Sequence, residues 1–284
     1  MSRNTVKTAV ILAAFGGLIL LVGQLVGGAS GLAVALVIAL LLVGGQYWFC
    51  DRIAIAAARA TPVTEQQMPE YYRIVRELTE RAGMPMPRLY VTDDRQPNAF
   101  ATGRNPNHAA VAVTRGLLEI CTWDEIRGVL AHEISHVGNR DTLITSVAAG
   151  LALMITFAAR LAAFAGIFAG GNSREGPNIF ESLALLILAP LAAALLQMAL
   201  SRSREYEADR SGARLIGDGE PLARALAKLD AASKQVPMNV RPEAASMYIV
   251  NPITGKDIQF KNWFMTHPPT QDRISRLRAK EWAS

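Results

Sequence analysis

Two uncharged apolar runs near the N-terminus limit what this chain can fold into more than any other feature. Residues 8–27 and 32–49 contain no charged side chain, and only Gly28-Ala29-Ser30-Gly31 separates them. A helix crosses a hydrocarbon core of about 30 Å with about 20 apolar residues, so both runs fall in the spanning range. A cleaved signal peptide is the rival reading, because Gly27, Gly28 and Ala29 are small. The first run is long for a signal core and the second follows at once, which favours two spanning helices. Arg3, Lys7, Arg52 and Arg59 flank the outer ends, while the link is uncharged. The positive-inside rule then predicts a hairpin, residues 1–60, with both ends in the cytoplasm.

A second apolar region, residues 142–200, predicts another hairpin, transmembrane or re-entrant. It comprises residues 142–171 and 179–200, with a polar turn at 172–178, Arg160 in the first part and Pro190 in the second. Arg160 is costly at the centre of a bilayer. No second intramembrane charge is available as its partner, so a transporter reading rests on one residue. The chain is 51% hydrophobic with formal net charge +5. Cys50 and Cys121 lack C-x-x-C spacing, so neither a disulfide framework nor a thiolate metal site is suggested, and two buried thiols are expected. Nucleic acid is not an expected partner.

The remaining segments, 61–141 and 201–284, predict one extramembrane domain. Helical periodicity covers residues 70–82, with Ile74, Val75 and Leu78 inward and a stop at Gly83 and Pro85. Strands are expected at 88–92, 98–103 and 109–114, with a turn at Asn105-Pro106-Asn107. Residues 117–121 lead into the next helix. A further helix covers 220–236 with Leu222, Leu226 and Leu229 inward, residues 237–261 are loop-rich, and Thr270 is the expected N-cap of a last helix. The fold class is α+β, mainly helical.

His132-Glu133-Ile134-Ser135-His136 reads H-E-x-x-H and takes two of the four histidines in the chain. Residues four apart on a helix share a face, so both imidazoles can meet one metal ion while Glu133 reaches a water bound to it. Two ligands, an open position and a general base make the zinc-protease arrangement. Thr122-Trp123-Asp124-Glu125 is a capping box for that helix, and Ile126, Val129, Leu130 and Ile134 form its apolar stripe. Downstream, Glu205, Ala208, Asp209 and Gly212 share one helical face, and Glu207 points away. Glu205 is the expected third ligand. Asp209, one turn on, is placed to accept a hydrogen bond from a ligand histidine. His108, beside a turn, is expected to be exposed.

Two segments together resemble the HtpX family of bacterial membrane zinc metalloproteases, relatives of the CAAX-prenyl proteases. They are His132-Glu133-Ile134-Ser135-His136-Val137-Gly138-Asn139-Arg140-Asp141 and Arg204-Glu205-Tyr206-Glu207-Ala208-Asp209. The resemblance covers nearly the whole chain. It implies a zincin-like (gluzincin) domain with four transmembrane helices in two hairpins, one zinc ion per chain, and Glu205 as a ligand. It also implies that Asn98, Ala99, Phe100 and Ala101 form an exposed edge strand that pairs with extended substrate. His267 or Arg273, in a matching His-Pro and Arg-Ile segment, stabilises the developing oxyanion. The implied setting is the bacterial inner membrane, with the catalytic domain in the cytoplasm and membrane lipid around the helices. Quality control of membrane or unfolded proteins under stress is the implied role, with an AAA+ membrane protease as partner. A prenyl-protein processing protease and a catalytically idle membrane scaffold are the alternative readings. The departure from the family lies at Arg160, which leaves the depth of the second hairpin open.

Overall fold

The computed structural model describes residues 3–151, 154–155, 202–235 and 268–283. Arg160, His267, residues 179–200 and the 237–261 segment lie outside the described residues.

Helix α1 (Arg3–Ala57) is broken at Gly28, where φ 56° and ψ −139° reverse the chain. Only glycine adopts such a conformation without strain. The expected link is therefore mostly helical, because a single residue makes the turn. Its two limbs touch through glycine: a Cβ on Gly23 would sit 2.3 Å from that of Ala35. The second limb, Gly27–Ala57, is long and apolar enough to cross a membrane, with mean hydropathy 2.3 over its most apolar window. Val6–Leu21 on the first limb is apolar but shorter. Leu40 and Leu41 are 66% and 69% exposed, and Val10, Val34 and Val37 are similarly bare. A contiguous apolar surface of this kind calls for a non-aqueous neighbour.

After α1 comes a four-stranded sheet of β1 (Thr61–Pro62), β2 (Arg88–Thr92), β3 (Ala99–Gly103) and β4 (Ala109–Thr114). The spatial order is β1-β2-β4-β3, parallel between β2 and β4 and antiparallel elsewhere. Helix α2 (Pro69–Arg81) begins with proline at its first turn and is followed by Gly83 at φ 63°. It buries Tyr71, Ile74, Val75 and Leu78. The Tyr71 hydroxyl donates to the Val111 carbonyl, 3.2 Å away, which ties the helix to the central strand. The approach to the motif helix is itself a short helix, α3 (Arg115–Ile120), whose cap Thr114 accepts from the Leu117 N–H at 3.1 Å.

The motif helix α4 (Trp123–Gly138) starts with the expected capping box. The Glu125 side chain accepts from the Thr122 N–H at 2.7 Å and the Thr122 hydroxyl from the Glu125 N–H at 3.4 Å. Ile126, Leu130 and Ile134 are almost fully buried. Each such side chain contributes about 1.5–3 kcal/mol on leaving water. That inward stripe holds α4 against the sheet and against α6 (Arg202–Ile216) and α7 (Glu220–Gln235). Two glycines set the contacts. A Cβ on Gly128 would lie 2.4 Å from the Leu222 nitrogen, and one on Gly212 would lie 2.9 Å from the His132 nitrogen. Larger residues would push both helices away from the motif.

Helix α8 (Thr270–Arg278) begins one residue earlier than expected. Pro269, not Thr270, is the N-cap, and its carbonyl accepts from the Asp272 and Arg273 N–H groups at 3.1 and 3.3 Å. Beyond α4, helix α5 (Thr142–Leu151) turns towards the N-terminal hairpin. Leu143, Ile144, Val147 and Leu151 pack with Ile11 and Cys50 in a second apolar cluster.

Candidate metal centre

His132 and His136 leave α4 one turn apart, and Glu205 faces them from the first turn of α6. The two Nε2 atoms are 3.2 Å apart. Glu205 Oε2 is 3.7 Å from His132 Nε2, and Oε1 is 3.6 Å from His136 Nε2. Four ligands around one ion at bonds of about 2.0–2.1 Å lie about 3.3–3.4 Å from one another, so this spacing fits a tetrahedral site with one position left open. Among the described residues this is the one His, Cys, Asp and Glu group close enough to hold a metal.

The outer nitrogen of each imidazole meets a carboxylate. Asp209 Oδ1 lies 2.9 Å from His132 Nδ1, and Asp141 Oδ2 lies 3.1 Å from His136 Nδ1. Each carboxylate accepts the Nδ1–H, which leaves both Nε2 lone pairs aimed at one point, the tautomer a metal ligand requires. Burial disfavours a charged His136. Asp141, Glu205 and Glu133 outweigh it and raise that imidazole to about 9, so the surroundings are built for positive charge.

Asp141 carries no function in the sequence reading, and the reason is conformational. Arg140 adopts φ 59° just past the end of α4. The Arg140 N–H donates to the Val137 carbonyl and the Asp141 N–H to that of His136, at 3.2 and 2.9 Å, which is a Schellman closure. That reversal folds Asp141 back beneath His136. The usual signal, glycine after the C-cap, is absent because arginine occupies the left-handed position. Asp141→Asn removes the charge and keeps the size, and should weaken metal binding by roughly 10–100-fold. Competition against a chelator measures this; wild-type affinity in the variant would remove Asp141 from the centre.

Glu133 is buried beside the ligands, and its Oε2 accepts from the Ala101 N–H at 2.9 Å. Burial raises its carboxyl above the usual range, His132 and His136 oppose this, and Glu205 adds to it. Arg273 is 1% exposed. Its Nε and Nη2 hold the two Asp209 oxygens at 2.8 and 2.7 Å, and Nη1 lies 4.0 Å from Glu205 Oε2. This guanidinium holds the Asp209 carboxyl down to about 2 against the effect of its burial, with help from His132. Arg273 thus backs the ligands, holding Asp209 while its Nη2 lies 3.5 Å from His132 Nδ1. His108 is exposed as expected, its Nδ1 2.8 Å from Asn105 Oδ1.

Strand β3 is at the sheet edge, but the expectation that it is exposed fails. Asn98, Ala99 and Phe100 are buried and Ala101 is half-buried. Asn98 pairs its carbonyl with the Thr114 N–H of β4 at 2.9 Å, so Ala99 and Ala101 turn their backbone groups outward. Glu133 covers that outer row at Ala101, and the Thr142 hydroxyl donates to the Gly103 carbonyl at 2.9 Å. The edge is covered because it is pressed against α4 and α5.

The model of peptidase family M48 matches residues 65–281. A protease HtpX homolog of Syntrophobacter fumaroxidans is 50% identical over 278 residues, 96% of this chain and 98% of its own length. Another, from Pelotomaculum thermopropionicum, is 46% identical over 97% of this chain and 99% of its own. Among solved structures, S. mikatae Ste24p superposes with a TM-score of 0.50 at 22% identity. The match covers 96% of this chain and 65% of Ste24p, and it speaks for the fold alone. The chain belongs to peptidase family M48, among the HtpX proteases.

Proposed function

We propose that this membrane metalloprotease is a zinc-dependent endopeptidase that cleaves membrane proteins on the cytoplasmic side. The observation that carries the reading is the convergence of His132 Nε2, His136 Nε2 and Glu205 on one point, with Glu133 beside it. Two imidazoles and a carboxylate suit zinc, which when bound polarises the scissile carbonyl and acidifies water. Glu133 takes the proton of the attacking water and returns it to the leaving amine. A carboxyl raised by burial suits a group that must both accept and give up a proton. Asp209 and Asp141 hold the imidazoles in register, and Arg273 fixes Asp209. The family resemblance gives the oxyanion role to His267 or Arg273, and with Arg273 engaged on Asp209 we assign it to His267. Glu133 occupies the Ala101 N–H, so the backbone of Ala99 and Ala101, flanked by Asn98 and Phe100, receives substrate as an added strand only after Glu133 has let go of it.

The test is metal content read beside cleavage of a casein-type or membrane-protein substrate. Purified protein should hold one zinc ion per chain and cleave only with it. Glu205→Gln should lose the metal while Glu207→Gln, exposed on the far side of α6, keeps it. The reverse pattern would overturn the ligand assignment, and zinc without cleavage would favour an idle scaffold.

His136 precedes the second apolar region and Glu205 follows it, yet they lie 3.6 Å apart. The intervening chain must return to the side it left, since a bilayer core is about 30 Å thick. We therefore retain two hairpins and four spans, in the inner membrane, with both hairpins returning to the cytoplasm. Single cysteines at Asn139 and Ser203, with Cys50 and Cys121 replaced, should both escape a membrane-impermeant thiol reagent applied to intact cells. Labelling of one but not the other would break the shared centre. The quality-control role and an AAA+ membrane protease partner follow from the resemblance, and co-purification from membranes tests the pairing.

A further inference from the structure

The inner end of the membrane helix carries a basic, aromatic-rimmed cleft that the peptidase chemistry does not use. It has a volume of about 390 Å³ and is lined by Trp48, Phe49, Arg52, Arg88, Arg104 and His108, among others. Gly27–Ala57 is 31 residues long. At 1.5 Å per residue the part up to the kink at Phe49 (φ −116°, ψ 15°) already covers a 30 Å core, which leaves about ten residues beyond it. The uncharged run ends at Phe49–Cys50 and charge begins at Asp51, so the surplus lies at the inner end. Trp48 and Phe49 then stand at headgroup height, where aromatic residues gather, and are 56% and 49% exposed.

Three arginines meet there from three elements. Arg52 comes from α1 and stacks 5.6 Å above the Phe49 ring. Arg104 follows β3, stacks 4.7 Å above Trp48 and donates one N–H to the Trp48 carbonyl at 3.0 Å. Arg88 begins β2 and is bound by Asp51. No carboxylate among the described residues pairs with Arg52 or Arg104. A guanidinium offers five N–H donors, so each keeps several for an external acceptor. Exposed Asn107 and His108 stand beside them. The cleft is thus positive, rich in donors and level with the phosphates of the inner leaflet.

We propose that this cleft binds the headgroup phosphate of an anionic phospholipid, with Arg52 and Arg104 as its principal donors and Trp48 and Phe49 against the upper acyl chains. This rests on the reading of Gly27–Ala57 as a membrane span, which sedimentation of the chain with alkali-washed membranes tests separately. Arg104 leaves β3 three residues after Ala101, the residue whose N–H holds Glu133. A lipid held there seats the peptidase sheet against the membrane surface.

The experiment uses the full chain in detergent, with short-chain phosphatidylglycerol, phosphatidylcholine and inorganic phosphate as probes, read by native mass spectrometry. Wild type should prefer phosphatidylglycerol over phosphatidylcholine by at least about tenfold. Each basic side chain at an anionic surface contributes about fivefold, so Arg52→Gln with Arg104→Gln should weaken phosphatidylglycerol binding by about 30-fold. Arg52→Gln alone, on an exposed helix surface, should cost about fivefold and serves if the double variant does not fold. Zinc content reports folding in each, and Arg73→Gln on the far side of α2 should bind as wild type. Equal binding of both lipids, undiminished binding by the Arg52 and Arg104 variants, or inorganic phosphate competing as well as the lipid would each overturn the proposal.

Discussion

Glu133→Gln should abolish cleavage while metal binding is kept. Gln retains a carbonyl oxygen that can accept the Ala101 N–H, 2.9 Å from the present carboxylate, so the local geometry survives. It cannot take a proton at neutral pH. General-base transfer accounts for about 10²–10⁴-fold in rate, and a loss of that size in kcat is expected with zinc content unchanged. Metal analysis and single-turnover cleavage on the same preparation measure both. A variant that cleaves at more than about a tenth of the wild-type rate would take the base role from Glu133.

Asp209→Ala should have the largest effect on stability. Arg273 is 1% exposed and spends two donor groups on Asp209. Arginine does not shed its proton in a protein, so removal of Asp209 takes the two shortest carboxylate contacts from a buried charge and leaves Glu205 4.0 Å away. Breaking such a pair costs about 3–5 kcal/mol. The same change deprives His132 of its acceptor, so metal affinity should fall together with the thermal midpoint. Arg273→Lys separates support from chemistry, because it keeps the charge and loses the fork. If Arg273 acts only by holding Asp209, this variant loses midpoint and zinc affinity together, and kcat per bound zinc holds. A fall in kcat at full zinc occupancy and unchanged midpoint would give Arg273 the oxyanion role instead.

What could be read from the sequence was what lies along one helix. His132 with His136, and Glu205 with Asp209, follow from the four-residue repeat of a helical face. The capping box and the inward Ile126, Leu130 and Ile134 follow from the same periodicity. What could not be read needed a reversal or a distant partner. Asp141 reaches His136 through a left-handed arginine that no local rule announces. Arg273 finds Asp209 across 64 residues of chain, so its carboxylate partner had no sequence signature. The edge position of β3 followed from its composition and likeness. Its burial did not, because the cover comes from α4 and α5 rather than from β3 itself.

The division of the metal centre between α4 and α6 also orders events during synthesis. The ribosome delivers His132, Glu133 and His136 first, then the second apolar region, and only afterwards Glu205 and Asp209. A nascent chain stalled before α6 has two imidazoles, no third ligand and no acceptor for His132. Assembly of the catalytic site therefore waits until the chain between the two helices, residues 139–201, has been made. A half-made copy lacks its third ligand for as long as the rest of the chain is still being made.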